Sequence, residues 1–166
     1  MAKEAKTNAM RMLDRQKVKY EAFPYECDEF IDGLHSADLI GAPYEQSFKT
    51  LVMEGKSGGY YVFVVPIEKE VDRKAAAKAV GEKAVDMIHV KDILKITGYV
   101  RGGCSPLGMK KPYPPIFHLS LSKVQQAELS ASVRRVLHLH IFLQTHPRMH
   151  QTRPEGRRTL EKDIQT

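Results

Sequence analysis

Tryptophan is absent from this 166-residue sequence and cysteine is scarce, with Cys27 and Cys104 its two thiols. They stand far apart and without the short spacing of metal ligands, so neither a disulfide framework nor a zinc module is expected, and a reduced, cytoplasmic setting is. Long apolar runs are missing too. None approaches the roughly 18 residues needed to cross a bilayer, and the opening MAKEAKTNAM has no apolar stretch behind a basic one, so neither a membrane role nor a secretory leader is expected. Internal repeats and long linkers are also absent. What remains is 42% hydrophobic, enough to bury one core but short of two ordinary domains.

The formal net charge of +6 is unevenly spread: residues 1–114 hold 18 basic and 16 acidic side chains, and residues 115–166 hold 8 and 4. A modest positive excess would attract phosphates, and it would equally keep an ordinary protein soluble.

Along the chain, periodicity and punctuation alternate between helix and strand. Thr7 or Asn8 is placed to cap a first helix through Met10 and Leu13. VKYEAFPYE reads as a strand that Pro24 confines to an edge. IDGLHSADLIGAP suits a short helix closed by Gly41 and Pro43. SFKTLVM and YYVFVVP, joined by EGKSGG, form the clearest hairpin signal. Asp72 can cap DRKAAAKAVG, with Gly81 as a left-handed stop, and a strand-like AVDM and a helical HVKDILKITG follow. The segment GYVRGGCSPLGMKKPYPP holds too many breakers for regular structure and reads as an ordered loop. The sum is an α/β or α+β domain.

Several residues carry chemistry on their face. Alternation in a strand puts Lys49 on the side of Leu51 and Met53, with Phe48, Thr50 and Val52 on the other. A lysine among large apolar groups is either partly desolvated in a cavity, able to hold a carbonyl oxygen or phosphate, or it snorkels to water at an edge. In the loop, Gly102 and Gly103 allow close backbone approach and an anion-holding concavity, Ser105 adds a hydroxyl and Pro106 stiffens the turn; the same pattern also occurs in plain turns. It is neither a Walker A loop nor a dinucleotide fingerprint. His138 and His140 share a strand face at metal-compatible spacing, but no cluster of other ligands accompanies them, so no metal is expected. Cys104 lacks an identifiable base and is read as a bystander. Tyr60, Tyr61 and Phe63 read as packing residues.

The order and spacing of the Tyr25-Glu26 strand end, SFKTLV, the VVP strand end and TGYVRGGCSPLGMKK resemble the YbaK/EbsC family, small relatives of the editing domain inserted in bacterial prolyl-tRNA synthetases. The resemblance covers about residues 5–114. It implies a mixed α/β fold on a curved, partly barrel-like sheet. The activity implied is trans-editing: hydrolysis of the ester between a misattached amino acid and tRNA, with Cys-tRNA(Pro) as substrate, aminoacyl-tRNA(Pro) and prolyl-tRNA synthetase as partners, and no metal or organic cofactor. Lys49 matches the lysine of the family's [FY]-K-T-L motif and is the implied catalytic residue. Tyr25, Gly102, Gly103, Ser105, Pro106 and Ser130 are the implied substrate-binding set. In Cys-specific members the substrate's own thiol attacks, which would make the step a lyase-like cyclisation and removes the need for a Ser-His-Asp or Cys-His constellation.

From about Pro115 the resemblance fades. Ser132 and Arg135 stand where the family has glycines, and Leu137 where it has a polar or acidic residue, which leaves open a relative that binds tRNA or prolyl-tRNA synthetase without turnover. This stretch also holds 5 of the 7 histidines. The expected division is a single deacylase domain over 1–143 and a divergent, loosely ordered tail over 144–166.

Overall fold

The computed structural model describes residues 6–26, 32–124, 126–130 and 137–144. Helix α1 (Asn8–Arg15) starts where Thr7 accepts a hydrogen bond from the Met10 amide, and α2 (Gly33–Ile40) starts where Asp32 accepts from the His35 amide. In α3 (Arg73–Val80) the Asp72 carboxylate takes the amides of both Lys74 and Ala75. Each cap satisfies amides that the first helical turn leaves without partners. Gly41 and Gly81 end α2 and α3 in the left-handed conformation at φ 66° and 75°, as the punctuation predicts.

Seven strands form one mixed sheet: β1 (Tyr20–Glu26), β2 (Ser47–Gly55), β3 (Tyr60–Pro66), β4 (Val85–Met87), β5 (Pro115–Phe117), β6 (Gln126–Ser130) and β7 (Leu137–Gln144). Their order is β1-β7-β6-β2-β3-β5. The β2–β6 and β3–β5 pairs are parallel and the others antiparallel. The sheet is mixed and sided by short helices, as expected, and the described pairings leave it open between β1 and β5 rather than closed into a barrel. Pro24 lies in β1, which among the described strands pairs with β7 and ends the strand order, a position where a missing ladder donor is tolerated.

The β2–β3 hairpin is the centre of the sheet, and both its faces are covered. Phe48 and Val64 pack with Ala9 and Leu13 of α1, Tyr99 of the long loop and Leu129 of β6. On the reverse face Met53, Phe63 and Val65 pack with Ala76 and Ala77 of α3. Phe63 and Val64 are wholly buried; such a side chain contributes on the order of 2 kcal/mol through its area alone. This two-sided burial explains why YYVFVVP is a continuous apolar run instead of an alternating one.

One edge of β2 is divided. Its start pairs with β6 at Ser47 and Phe48, and its end pairs with β4 from Met53 to Gly55. Between them the edge from Lys49 to Val52 has neither strand beside it, save for the Ile88 amide reaching the Val52 carbonyl at 3.3 Å. The gap in the sheet is where the candidate site lies.

Candidate functional site

A cavity of about 360 Å³ occupies this gap, within the range of pockets that take small ligands. Its floor is β2 from Phe48 to Val52. One wall comes from Gly33 and Ser36 of α2 with Ile67 just after β3, and the other from Met87, Ile88, Val90 and Ile93, with Arg101, Gly102 and Cys104 closing one end. Helix α4 (Ile93–Thr97) follows the 3-10 turn Val90–Asp92 and supplies that second wall. Because neither β4 nor β6 covers the edge of β2 here, residues of both its faces reach the same space.

Lys49 sits on this floor, on the Leu51 and Met53 side of β2 as its alternation requires. Its side chain is 25% exposed, and the ammonium lies 3.5 Å from Glu70, which is 91% exposed. Lys49 is therefore half sunk in the cavity wall and tethered only at the mouth, by a partner that a ligand can displace at small cost. Thr50 points to the other face, and its Oγ1 is buried without a hydrogen-bond partner among the described residues. An unmet buried hydroxyl costs about 1–3 kcal/mol, and a polar group entering the cavity would relieve it.

Tyr25 joins the site through α2. Its hydroxyl donates to Ser36 Oγ at 3.0 Å, and Ser36 donates in turn to the Asp32 carbonyl at 2.9 Å. Gly33 is tightly constrained here, since a Cβ added to it would lie 2.3 Å from Ile67 Cδ1. A larger residue at that position would push Ile67 across the cavity.

The loop from Gly98 to Pro114 forms the closed end. Gly102 has φ 77°, a left-handed conformation that suits glycine, and it faces the cavity. The Gly103 amide donates to the Val100 carbonyl at 3.0 Å, closing a tight turn. Ser105 is buried and its hydroxyl accepts from the Leu107 amide at 3.2 Å, so it serves the loop itself. Gly103, Ser105 and Pro106 do not line the cavity; they shape the segment that presents Gly102. Cys104 lines it as a buried thiol, and burial pushes that thiol up to about 11, with a weak contact to Thr97 at 3.9 Å opposing the shift. It is protonated at neutral pH and unsuited to nucleophilic attack.

Ser130 ends β6 directly after Leu129, which pairs with Phe48 of the floor, but it is not among the residues that line the cavity. Ser132 and Arg135 lie outside the described residues, as do Cys27 and the tail beyond residue 144. Three contributors escaped the sequence reading. Ser36 and Gly33 lie on a helix whose own pattern only announces a core face, and no local signal connects them to Lys49. Thr50 carried a signal, a hydroxyl inside an apolar strand, that the neighbouring lysine overshadowed.

Comparison with known proteins places these features in a family. The model of the aminoacyl-tRNA editing domain matches residues 35–136, more than half of the chain. The chain is 45% identical over 112 residues to EbsC of Enterococcus faecalis, which carries the provisional name Cys-tRNA(Pro)/Cys-tRNA(Cys) deacylase; the match covers 67% of this chain and 68% of that protein. It is 30% identical over 74 residues to a proline–tRNA ligase of Fervidobacterium nodosum, covering 45% of this chain and 13% of the ligase. A crystal structure provisionally described as a trans-editing enzyme for prolyl-tRNA synthetase superposes with a TM-score of 0.63 at 21% identity, over 80% of this chain and 83% of that one. At that identity the likeness speaks for the fold.

Proposed function

The chain belongs to the aminoacyl-tRNA editing domain family, and we propose that it acts in trans as a deacylase on mischarged tRNA, with Cys-tRNA(Pro) as substrate. The observation that carries this reading is a cavity with an ammonium and a glycine turn on its walls and no activated nucleophile of its own. Among the described residues that line it there is no histidine and no carboxylate, and its one thiol is held protonated. A site of this kind can orient an ester and stabilise charge, but the attacking group must arrive with the substrate or from water.

Cysteine brings such a group. Its thiol attacks its own ester carbonyl, the C–S bond forms, and the C–O bond to the tRNA 3′ oxygen breaks. That oxygen takes up the proton the thiol gives up, leaving a cyclic thioester that water opens. Negative charge grows on the carbonyl oxygen during the attack. Lys49 is the proposed partner for that charge, and the Gly102 amide, which has no acceptor among the described residues, is the proposed second donor. Tyr25 is assigned a positioning role through Ser36. Ser105 and Pro106 are assigned the support of Gly102, and Ser130 the rim beside Phe48. Prolyl-tRNA synthetase is the proposed source of the mischarged tRNA, and the cytoplasm the proposed setting.

The test compares hydrolysis of Cys-tRNA(Pro), Ala-tRNA(Pro) and Pro-tRNA(Pro) by the protein and its Lys49→Ala variant. The expected result is selective loss of the Cys ester, reduced about 100-fold by the substitution. Equal loss of the Ala ester would remove the substrate-thiol mechanism, since alanine has no thiol. Esters that stay intact while the tRNA binds tightly would make the protein a binder without turnover.

A further inference from the structure

Within residues 1–114 the positive excess falls in the segment that builds one side of the cavity. Residues 88–112 hold five basic side chains and one acidic, whereas residues 1–87 hold 13 basic and 15 acidic. The five are Lys91, Lys95, Arg101, Lys110 and Lys111, and all are exposed. Sequence position alone would not make them neighbours, but the fold does. Lys91 follows the lining residue Val90, and Arg101 itself lines the cavity. The Lys110 amide bonds the Thr97 carbonyl at 3.1 Å at the end of α4, and the Tyr113 hydroxyl bonds the Ile96 carbonyl at 3.1 Å. Lys110 and Lys111 are thus fastened to the helix that bears Lys95 and follows Lys91.

These lysines are not consumed by the fold. Ion pairs among the described residues join Lys6 to Asp14, His35 to Asp32, Lys49 to Glu70 and Arg73 to Asp86. Lys91, Lys95, Lys110 and Lys111 take part in none of them. Lys95 and Lys110 stand near the C-terminal end of α4, where a cation is favoured by the helix dipole; Lys91 and Lys111 have no such explanation. The opposite wall has the reverse sign. Asp32 precedes Gly33 there, and Glu68 and Glu70 follow Ile67 closely with the single cation Lys69 between them.

We propose that the wall formed by Lys91, Lys95, Arg101, Lys110 and Lys111 seats the phosphate backbone of an RNA strand whose 3′ end enters the cavity. The proposal rests on the deacylase reading and adds to it which side of the site the nucleic acid occupies. Lysines spread along a helix and loop offer point charges to phosphates, which position a strand without reading its bases. The apolar groups beside them, Met87, Val90 and Leu94, are each about half exposed and are not aromatic, so recognition on this wall is tolerant of sequence. Opposite sign across the cavity orients the ligand, with phosphates at the basic wall and the α-ammonium of the amino acid toward the acidic one.

The experiment measures binding of an uncharged, CCA-ended acceptor-stem hairpin by fluorescence anisotropy across salt concentration. It compares the protein with a Lys91→Ala, Lys95→Ala, Lys110→Ala triple variant and with a control triple variant, Lys74→Ala, Lys78→Ala, Lys83→Ala, which changes net charge equally on and after α3. The first variant is expected to bind at least about 10-fold more weakly and to lose about 2 to 3 from the slope of log affinity against log salt; the control is expected to keep both. Equal losses in the two variants, or no hairpin binding by the protein at low salt, would overturn the proposal. Since the probe carries no amino acid, a protein that binds through this wall yet cleaves no ester would overturn the deacylase reading alone.

Discussion

Two glycine-bearing segments of this chain, the EGKSGG turn between β2 and β3 and the loop from Gly98 to Pro114, look alike in composition and differ in what surrounds them. In the turn, Gly58 has φ 84° and a Cβ placed there would meet nothing within 4 Å. The turn is tied to the segment after α3 chiefly by side chains: Ser57 and Tyr61 both donate to Glu82, and these bonds keep the Glu82 carboxyl below its usual range. In the loop, Gly108 has φ 65° and a Cβ would lie 2.6 Å from the backbone carbon of Asn8 and 2.7 Å from the Ala9 nitrogen. Here the main chain is pressed against the start of α1, and Tyr99, buried behind it, donates to the Leu107 carbonyl at 2.6 Å. One segment reverses the chain, while the other is clamped in place and thereby holds Gly102 and Cys104 at the cavity. The difference lies in the partners that each segment's backbone meets.

The strongest attack on this contrast is Gly108→Ala. Left-handed strain and a backbone clash act together, and the expected loss is about 3 kcal/mol or more, seen as a lowered midpoint in urea with a matching loss of deacylation. A variant of unchanged stability would mean that the loop is not clamped on α1. Next in size is an alkaline effect confined to the loop. Burial raises the Cys104 thiol to about 11 from an ordinary value near 9, and Tyr99 to about 12 from near 10. The folded protein then holds protons that the unfolded chain releases, so Cys104's stabilising contribution is complete below pH 9 and is lost as pH rises through about 11. The expected loss is on the order of 2 kcal/mol, and Cys104→Ala should flatten that part of the stability profile. The smallest effect belongs to the turn: Gly58→Ala should cost about 1 kcal/mol through backbone strain alone and leave ester cleavage untouched. A penalty at Gly58 equal to that at Gly108 would erase the distinction.

Much of the fold is legible in the residues because its signals are local. Thr7 and Asp72 announce helix starts through bonds to amides two or three residues on, Gly41 and Gly81 announce ends, and the two β-rich runs around EGKSGG announce a hairpin. The alternation of Lys49 with Leu51 and Met53 follows from strand geometry. The site was legible in part: Lys49 and Gly102 do meet at one cavity, and Tyr25 reaches it through Ser36. The sequence pattern did not reveal that Ser105 spends its hydroxyl on Leu107, or that Gly33, Ser36 and Thr50 complete the walls.

By itself, then, the sequence determined the helices, the central hairpin, the ordered loop and the resemblance that pointed to aminoacyl-tRNA editing. Each of these is written in neighbours along the chain or in a motif. Tertiary structure alone decided that β6 and β4 would divide one edge of β2, that the gap between them would become a cavity, and that lysines from two segments would gather on one of its walls. Those outcomes depend on which strands share an edge and which loop presses on which helix. They arise from contacts between residues distant in the chain, where no local periodicity can record them.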